Sequence, residues 1–270
     1  MEYDPIKRSL GSVFNRSPFL RKLFYNLLDL LLLRCWHIHK ELRHLSPALS
    51  KGEGVYILDA GAGFGQYSYW MINRFPKAKI LAVDVKDEQV DDCNVFFQRI
   101  ERPNVQFEVA DLTKFVQPDK FDLALSVDVM EHILEDVQVF KNIHTSLKKG
   151  GMLLISTPSD QGGSDVHEGS EGSFIGEHVR DGYNIKEIED KLKLAGFSKV
   201  EPRYSYGSPG KISWKLSMKY PMLLLNTSKI FFLIIPFYYL ITYPFSFLLN
   251  YLDTHSTHKT GTGLIVKAWK

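Results

Sequence analysis

Residues 58–67 read LDAGAGFGQY, in which three glycines alternate with other residues directly after a short apolar run. A continuous apolar run of this kind is typical of a buried parallel strand. A glycine turn between a strand and a helix points backbone N–H groups and a helix N-terminus at a ligand. Gly65 follows Gly63 by two positions, whereas the dinucleotide fingerprint places its third glycine three positions on. Asp59 ahead of the glycines repels a pyrophosphate and attracts a cation, so the stretch predicts a positively charged, nucleotide-like ligand.

Outward from this turn, apolar strand patterns alternate with helical ones, which indicates a parallel sheet covered on both faces. We expect an α/β fold: a Rossmann-like, doubly wound, seven-stranded, mostly parallel sheet, with an N-terminal helix and an apolar helical insertion before the last strand. The predicted strands are 55–61, 79–85, 105–111, 121–128, 151–158, 198–206 and 261–270. The predicted helices are 65–74, 87–101, one ending at 148, and 184–195.

The composition divides the chain into four segments. Residues 1–50 form an apolar helical segment, with one helix over 18–45 and a polar linker over 46–54. Residues 51–207 are the predicted core, 208–258 the apolar insertion, and 259–270 the last core strand.

Charge and cysteine content narrow the function classes. The net charge of +2 over 270 residues gives no electrostatic case for nucleic acid. Two distant cysteines, Cys35 and Cys93, give no disulfide framework and fit a reducing compartment, so we expect a cytoplasmic protein. Neither cysteine lies near a histidine cluster with ligand spacing, and we expect no metal.

The run from Asp59 to Gly65 resembles motif I of the class I S-adenosylmethionine (SAM) methyltransferases, closest in style to the quinone-biosynthesis type. FDLALSVDVMEHI (121–133) and LKKGGMLLISTP (147–158) resemble the motifs of that family's fourth and fifth strands. The resemblance implies SAM as the cofactor, which carries an ammonium and a sulfonium.

The same resemblance implies a cofactor role for residues at successive strand ends. Asp59 and the glycines would hold the amino-acid part of SAM, Asp84 the ribose, and Asp111 with Leu112 the adenine. Asp84 and Asp111 could instead cap the helices that follow their strands. The full predicted cofactor set is Asp59, Gly61, Ala62, Gly63, Gly65, Asp84, Val85, Asp111, Leu112 and Ser126.

Methyl transfer from a sulfonium requires alignment, exclusion of water and sometimes a base. Our first choice for a base is His178, which follows the polar, glycine-rich segment 159–177, with a surface or hinge histidine as the alternative. His132 is expected to line the pocket near the sulfonium, the alternative being a local hydrogen bond. His167, inside the glycine-rich segment, is a weaker choice. The fourth strand is not followed by the D/N-P-P-Y/F motif of nucleic-acid amino-methyltransferases, which argues against DNA or RNA as acceptor.

The insertion contains an uncharged stretch, residues 230–249, that is long enough to span a bilayer. Both of its ends lead to neighbouring strands, so a single span is excluded. Pro236 and Pro244 favour short segments over one helix. Basic residues and a tryptophan precede the stretch and suit an anionic membrane surface: Lys211, Trp214, Lys215 and Lys219.

These features predict peripheral contact with the inner membrane surface through 19–36 and 211–252, and a small, hydrophobic or lipid-like acceptor such as a quinone precursor or an isoprenoid. The alternative for the insertion is a cap over the pocket or a dimer interface. The alternatives for the whole chain are a non-catalytic SAM-binding, membrane-associated scaffold and an NAD-binding Rossmann protein.

Overall fold

The computed structural model describes residues 17–51, 54–162, 179–228 and 231–270. Seven strands form one sheet in the order β3-β2-β1-β4-β5-β7-β6, in which only β7 runs antiparallel to its neighbours. The predicted seven-stranded, mostly parallel fold is therefore confirmed. The strands are β1 (Tyr56–Ala60), β2 (Lys79–Asp84), β3 (Val105–Val109), β4 (Phe121–Val127), β5 (Leu147–Pro158), β6 (Lys199–Ser205) and β7 (Gly263–Trp269). The helices are α1 (Pro18–Leu31), α2 (Leu33–Lys51), α3 (Gln66–Arg74), α4 (Asp87–Arg99), α5 (Asp136–Ser146), α6 (Ile185–Leu194), α7 (Ser208–Trp214), α8 (Tyr220–Thr227) and α9 (Phe231–His255).

The central strands are buried on both faces, which explains their continuous apolar runs. Leu123 and Leu125 of β4 belong to one core cluster, whereas Ala124 between them belongs to the cluster on the opposite face. Because the four strands β1 to β4 are parallel, their carboxyl ends lie at one edge of the sheet.

The N-terminal segment differs from the prediction of one helix and a linker. The helix breaks at Leu32, which is extended (φ −89°, ψ 112°), and the second helix continues to Lys51 through most of the predicted linker. Leu32 and Leu33 are both buried. The break thus allows both leucines to pack inside the protein, which helical periodicity alone does not predict.

The prediction that two prolines divide the insertion into short segments was wrong. α9 is one helix of 25 residues, with Pro236 and Pro244 inside it. It packs along α7 and the π-helical turn Lys215–Lys219, and the hydroxyls of Tyr238 and Tyr239 donate to the carbonyls of Leu216 and Ser217 at 2.7 and 2.6 Å. This packing outweighs the hydrogen bonds that the prolines remove.

The insertion leaves and re-enters the sheet at the same place, as expected. Ser205, the last residue of β6, pairs with Gly263, the first of β7. Asp253 of α9 fastens the insertion there, because its carboxylate accepts from the backbone N–H groups of Tyr206 (3.1 Å) and Gly210 (2.9 Å) and lies 2.9 Å from His37 Nε2.

Candidate cofactor and acceptor site

The glycine turn after β1 has the shape that the sequence predicts. Gly63 (φ 50°) and Gly65 (φ 76°) adopt left-handed conformations that favour glycine. A Cβ on Gly65 would lie 2.8 Å from Cζ of Phe107, so there is no space for a side chain at that position. A Cβ on Gly63 would meet only Oε1 of Gln89, at 3.9 Å. The turn is therefore packed tightly on one side and open on the other.

Asp59 lies at the end of β1 with its carboxylate inside the protein. Its Oδ2 accepts a hydrogen bond of 2.6 Å from the Ser68 hydroxyl on α3. Burial raises the pKa of Asp59 to about 6, against the opposing effect of that hydrogen bond. In this geometry the carboxylate connects β1 to α3, and a direct contact with a ligand ammonium remains a prediction.

Asp84 at the tip of β2 faces the same loop. Its Oδ2 accepts from the N–H of Gly63 at 2.8 Å, and its Oδ1 accepts from the N–H of Lys86 at 3.0 Å. The next residue, Val85, is 64% exposed, which is unusual for a valine beside a strand and leaves an apolar surface next to the loop. A contact of these two residues with the ribose or base of SAM remains a prediction.

Asp111, two residues beyond β3, makes local contacts in the turn that follows, and no helix lies between β3 and β4 for it to cap. Its Oδ1 accepts from both the N–H and the hydroxyl of Thr113, at 2.9 and 2.7 Å. These bonds lower the pKa of Asp111. Leu112 beside it is buried. A contact of these two residues with adenine remains a prediction.

Two predicted residues lie at the end of β4, and two lie outside the described residues. Ser126 is fully buried, and its Oγ has no hydrogen-bond partner within the described part of the chain. His132 ends the short 3-10 turn Met130–His132 that follows β4. His178 and His167 fall among the residues that the structure does not describe. The N–H of Val179, which follows His178, donates to the carbonyl of Glu131 at 3.0 Å, so the chain returns to this edge of the sheet.

The structure adds an acidic pair that the sequence reasoning missed. Asp128 has a positive φ of 52° directly after β4 and forms a salt bridge with Arg34 of α2. The N–H of Arg34 in turn donates to the Tyr206 hydroxyl at 2.9 Å. The strand-end position of Asp128 was the available signal, since three other strand-end acids were selected on that ground. Its partner Arg34 is 94 residues away and could not be inferred locally.

Glu131 is the second missed acid and is only 1% exposed. Its Oε2 accepts from the Thr157 hydroxyl at 3.1 Å, while Oε1 has no partner among the described residues. Burial, and secondly the charge of Asp128, raise the pKa of Glu131 to about 8. A carboxyl group with such a pKa is mostly protonated near neutral pH and can donate a hydrogen bond.

Together these groups fit SAM. The open side of Gly63, the carboxylates at successive strand tips, and Ser126 Oγ and Glu131 Oε1, which have no partner among the described residues, lie along one edge of the sheet. A cleft of about 490 Å³ lies elsewhere, and its lining includes none of the predicted cofactor residues. Its lining consists of Asn26, Asp29, Arg43, Tyr69, Trp70, Asn73 and Arg74.

Comparison with known proteins identifies the kind of domain that contains the glycine turn. Residues 57–151 match the family described as "Methyltransferase domain". The chain is 30% identical over 153 residues to phosphoethanolamine N-methyltransferase 1 of Zea mays, covering 54% of this chain and 29% of the relative. It is 31% identical over 120 residues to malonyl-[acyl-carrier protein] O-methyltransferase 2 of Ilyobacter polytropus, covering 43% and 46%. The fold is similar to that of Haemonchus contortus phosphoethanolamine N-methyltransferase 2 in complex with SAM, with a TM-score of 0.54, 20% identity, and coverage of 84% of this chain and 52% of that one.

The domain that contains the glycine turn is thus a class I SAM-dependent methyltransferase domain, which confirms the resemblance and the cofactor that it implies. The match to each of the two curated relatives spans less than half of that relative's length. One of them is named for an N-methyl transfer and the other for an O-methyl transfer, so the atom that is methylated does not follow from the family.

Proposed function

We propose that the chain transfers the methyl group of SAM to a small, hydrophobic or lipid-like acceptor at the carboxyl edge of the sheet. The observation that carries the proposal is the open side of Gly63 beside the carboxylate of Asp84, within a domain of this family. SAM supplies an activated methyl group on a positively charged sulfur. The protein has to hold both reactants in line and exclude water.

In this proposal the end of β4 serves the acceptor. Glu131 has a buried oxygen without a partner among the described residues and a pKa of about 8, so near neutral pH it is mostly protonated and can donate a hydrogen bond to a polar group of the acceptor. His132 in the same turn and His178 are the proposed proton acceptors. Asp128 and Arg34 lie beside Glu131 and fix the charge around it.

The proposal of a lipid-like acceptor rests on a lipid-facing surface formed by α9 and α1. Large apolar side chains of α9 are exposed along its length, among them Leu233 (73%), Phe237 (68%) and Leu240 (75%). On the opposite side α9 buries polar residues completely, namely Ser246, Asn250 and Asp253. Among the described helices α9 is the one that is long and apolar enough to cross a bilayer, at Leu233–His255, and only 11% of that window is buried.

This inverted arrangement is expected of a helix in contact with lipid, where polar side chains bond between helices and apolar ones face outward. In contact with water it leaves an apolar patch that soluble monomers rarely expose. A helix of this length is about 37 Å long. Because its exposed face runs from Leu233 to Leu252, we propose that α9 lies in the plane of the interface and does not span it.

α1 extends the lipid-facing surface. Its exposed stripe consists of Phe19, Leu23, Leu27 and Leu30. The two helices meet where the Tyr243 hydroxyl donates to the carbonyl of Leu30 at 3.2 Å. Trp36 of α2 packs edge-on against Phe247 of α9, with ring centroids 4.9 Å apart. The lysines before α8 precede this surface in the chain and suit an anionic lipid headgroup layer. We therefore propose a cytoplasmic protein held peripherally on the inner membrane surface.

The function is tested by incubating the protein with methyl-labelled SAM and a membrane lipid extract, and by seeking lipids that gain one methylene in mass. Labelled lipid product is the expected result. SAM binding without any product would favour a non-catalytic scaffold, and NAD binding in place of SAM would contradict the cofactor.

The surface is tested by flotation with vesicles that contain anionic phospholipid. We expect flotation that weakens as salt rises. A chain that stays in solution as a monomer without detergent would remove the membrane proposal, and a salt-insensitive dimer would favour the dimer-interface alternative.

A further inference from the structure

Arg21 of α1 is a buried arginine that does not bond a carboxylate within the described part of the chain. It is 3% exposed. Its guanidinium donates to the carbonyl of Asp92 (3.0 Å), the carbonyl of Phe64 (3.1 Å), the Sγ of Cys93 (2.9 Å) and the hydroxyl of Tyr25 (2.7 Å). It also lies 4.7 Å from the ring centroid of Phe96. Burying a cation is costly unless hydrogen bonds satisfy it, and here main-chain carbonyls supply two of the partners.

These contacts converge on the glycine turn. Phe64 stands between Gly63 and Gly65, and its carbonyl accepts from Arg21 and also from the hydroxyl of fully buried Tyr25. The thiol of Cys93 lies 3.6 Å from the carbonyl of Gly63. The two consecutive carbonyls of the turn are thus held from the side opposite its open face.

On the open face, the turn is held by a different group. The N–H of Gly63 donates to Asp84, so Asp84 holds the peptide before Gly63 while Arg21 holds the peptide after Phe64. Glycine peptides have the most conformational freedom to lose, and a turn that is ordered beforehand loses less when a ligand binds. α4 is included in the same restraint, because Arg21 also bonds the carbonyl of Asp92.

We propose that Arg21, supported by Tyr25, is a positioning residue for SAM: it orders the glycine turn through the Phe64 carbonyl without touching the cofactor. This inference rests on the proposed function, because it assigns SAM to that turn. It gives α1 a second role, since the helix whose outer stripe belongs to the lipid-facing surface holds the cofactor turn with its inner face.

The test compares two arginine-to-lysine variants by calorimetric SAM titration, steady-state kinetics and thermal unfolding. Arg21→Lys keeps the charge but loses the planar fork that reaches several carbonyls. Arg203→Lys is the matched control, because Arg203 also uses its fork, on Glu41, and is remote from the glycine turn in its contacts. Tyr25→Phe removes one hydrogen bond to the Phe64 carbonyl with little change in volume.

We expect Arg21→Lys to weaken SAM affinity and raise the KM for SAM about tenfold, because it loses several hydrogen bonds, and Tyr25→Phe to do so about threefold, because it loses one. The kcat at saturating SAM and the KM for the acceptor should stay unchanged. Arg203→Lys should lower the unfolding temperature without altering SAM affinity.

Native SAM affinity in both α1 variants would overturn the inference, as would a fall in kcat with an unchanged KM for SAM. If Arg21→Lys does not fold, the Tyr25→Phe result decides by itself. A wild-type chain that fails to bind SAM would instead contradict the proposed function.

Discussion

The sheet core and α9 distribute polarity in opposite ways. In the core, Leu154 of β5 is fully buried, whereas α9 exposes 75% of Leu240 and buries Asn250 and Asp253 completely. Both regions come from apolar stretches that look alike in sequence. The difference shows that apolar content predicts only that a segment avoids water. The neighbouring residues decide whether the segment packs inside the protein or faces another apolar medium such as lipid.

The largest expected effect concerns Glu131, the buried acid in the turn after β4. The folded pKa of Glu131, about 8, lies above its ordinary value of 4.5. Its contribution to stability is therefore fully present below pH 4.5 and is lost as pH rises through 8. Relative to Glu131→Gln, the wild-type free energy of unfolding should fall by up to about 5 kcal/mol over that range. Denaturant unfolding at a series of pH values measures this, with Glu135→Gln, which removes an exposed carboxyl of the same segment, as the control.

If the difference in free energy of unfolding between wild type and Glu131→Gln does not change with pH, Glu131 is not held in its protonated form. Vesicle binding should not follow the same pH profile, because residues 231–252 contain no charged side chain and no histidine. A shared profile would contradict the separation of the two regions.

Two leucine-to-alanine substitutions directly test the opposite distribution of polarity in the core and in α9. Leu154→Ala should lower the free energy of unfolding by about 3 kcal/mol, because it removes buried contacts and leaves a cavity. Leu240→Ala should change it by less than about 0.5 kcal/mol in detergent-free buffer and instead weaken vesicle binding about tenfold. Urea unfolding and flotation give the two readouts. Equal losses of stability would mean that Leu240 is buried in protein, as in a dimer interface.

Asp84→Ala should weaken SAM binding by about 1–3 kcal/mol, since it removes the proposed ribose acceptor and the bond to the Gly63 N–H. Calorimetric titration measures the change. Asp87→Ala, three residues on in the first turn of α4, is the control for the loss of one acid in this segment. Unchanged affinity in Asp84→Ala would refute the assignment.

The smallest effect is expected inside the insertion. Asn250→Ala removes the acceptor of the 2.6 Å hydrogen bond from the Ser213 hydroxyl between α9 and α7, and should cost about 1 kcal/mol. Thermal unfolding detects it, and Asn73→Ala on the exposed side of α3 should lie within about 0.5 kcal/mol of wild type. A stabilised Asn250→Ala would show that the buried amide is not matched by its partner.

The sheet could be predicted because its central strands contain continuous apolar runs that alternate with helical patterns, and the glycine turn could be predicted because its chemistry is local. The break at Leu32 and the unbroken α9 were missed, since both depend on packing between elements rather than on helical periodicity or proline content. In the site, too, local features could be predicted and contacts between distant elements could not. Asp84 was placed by its strand end, whereas the roles of Arg21 and Arg34 depend on partners 43 and 94 residues away.

The pairing of Ser205 with Gly263 has a consequence for how this chain could have arisen. β6 and β7 are adjacent antiparallel strands, so a short hairpin loop could join them without altering the register of any strand. Residues 208–258 therefore form an insertion between two strands that could pair without it. An insertion of this kind could be gained, lost or exchanged while the strand ends around the glycine turn stay the same.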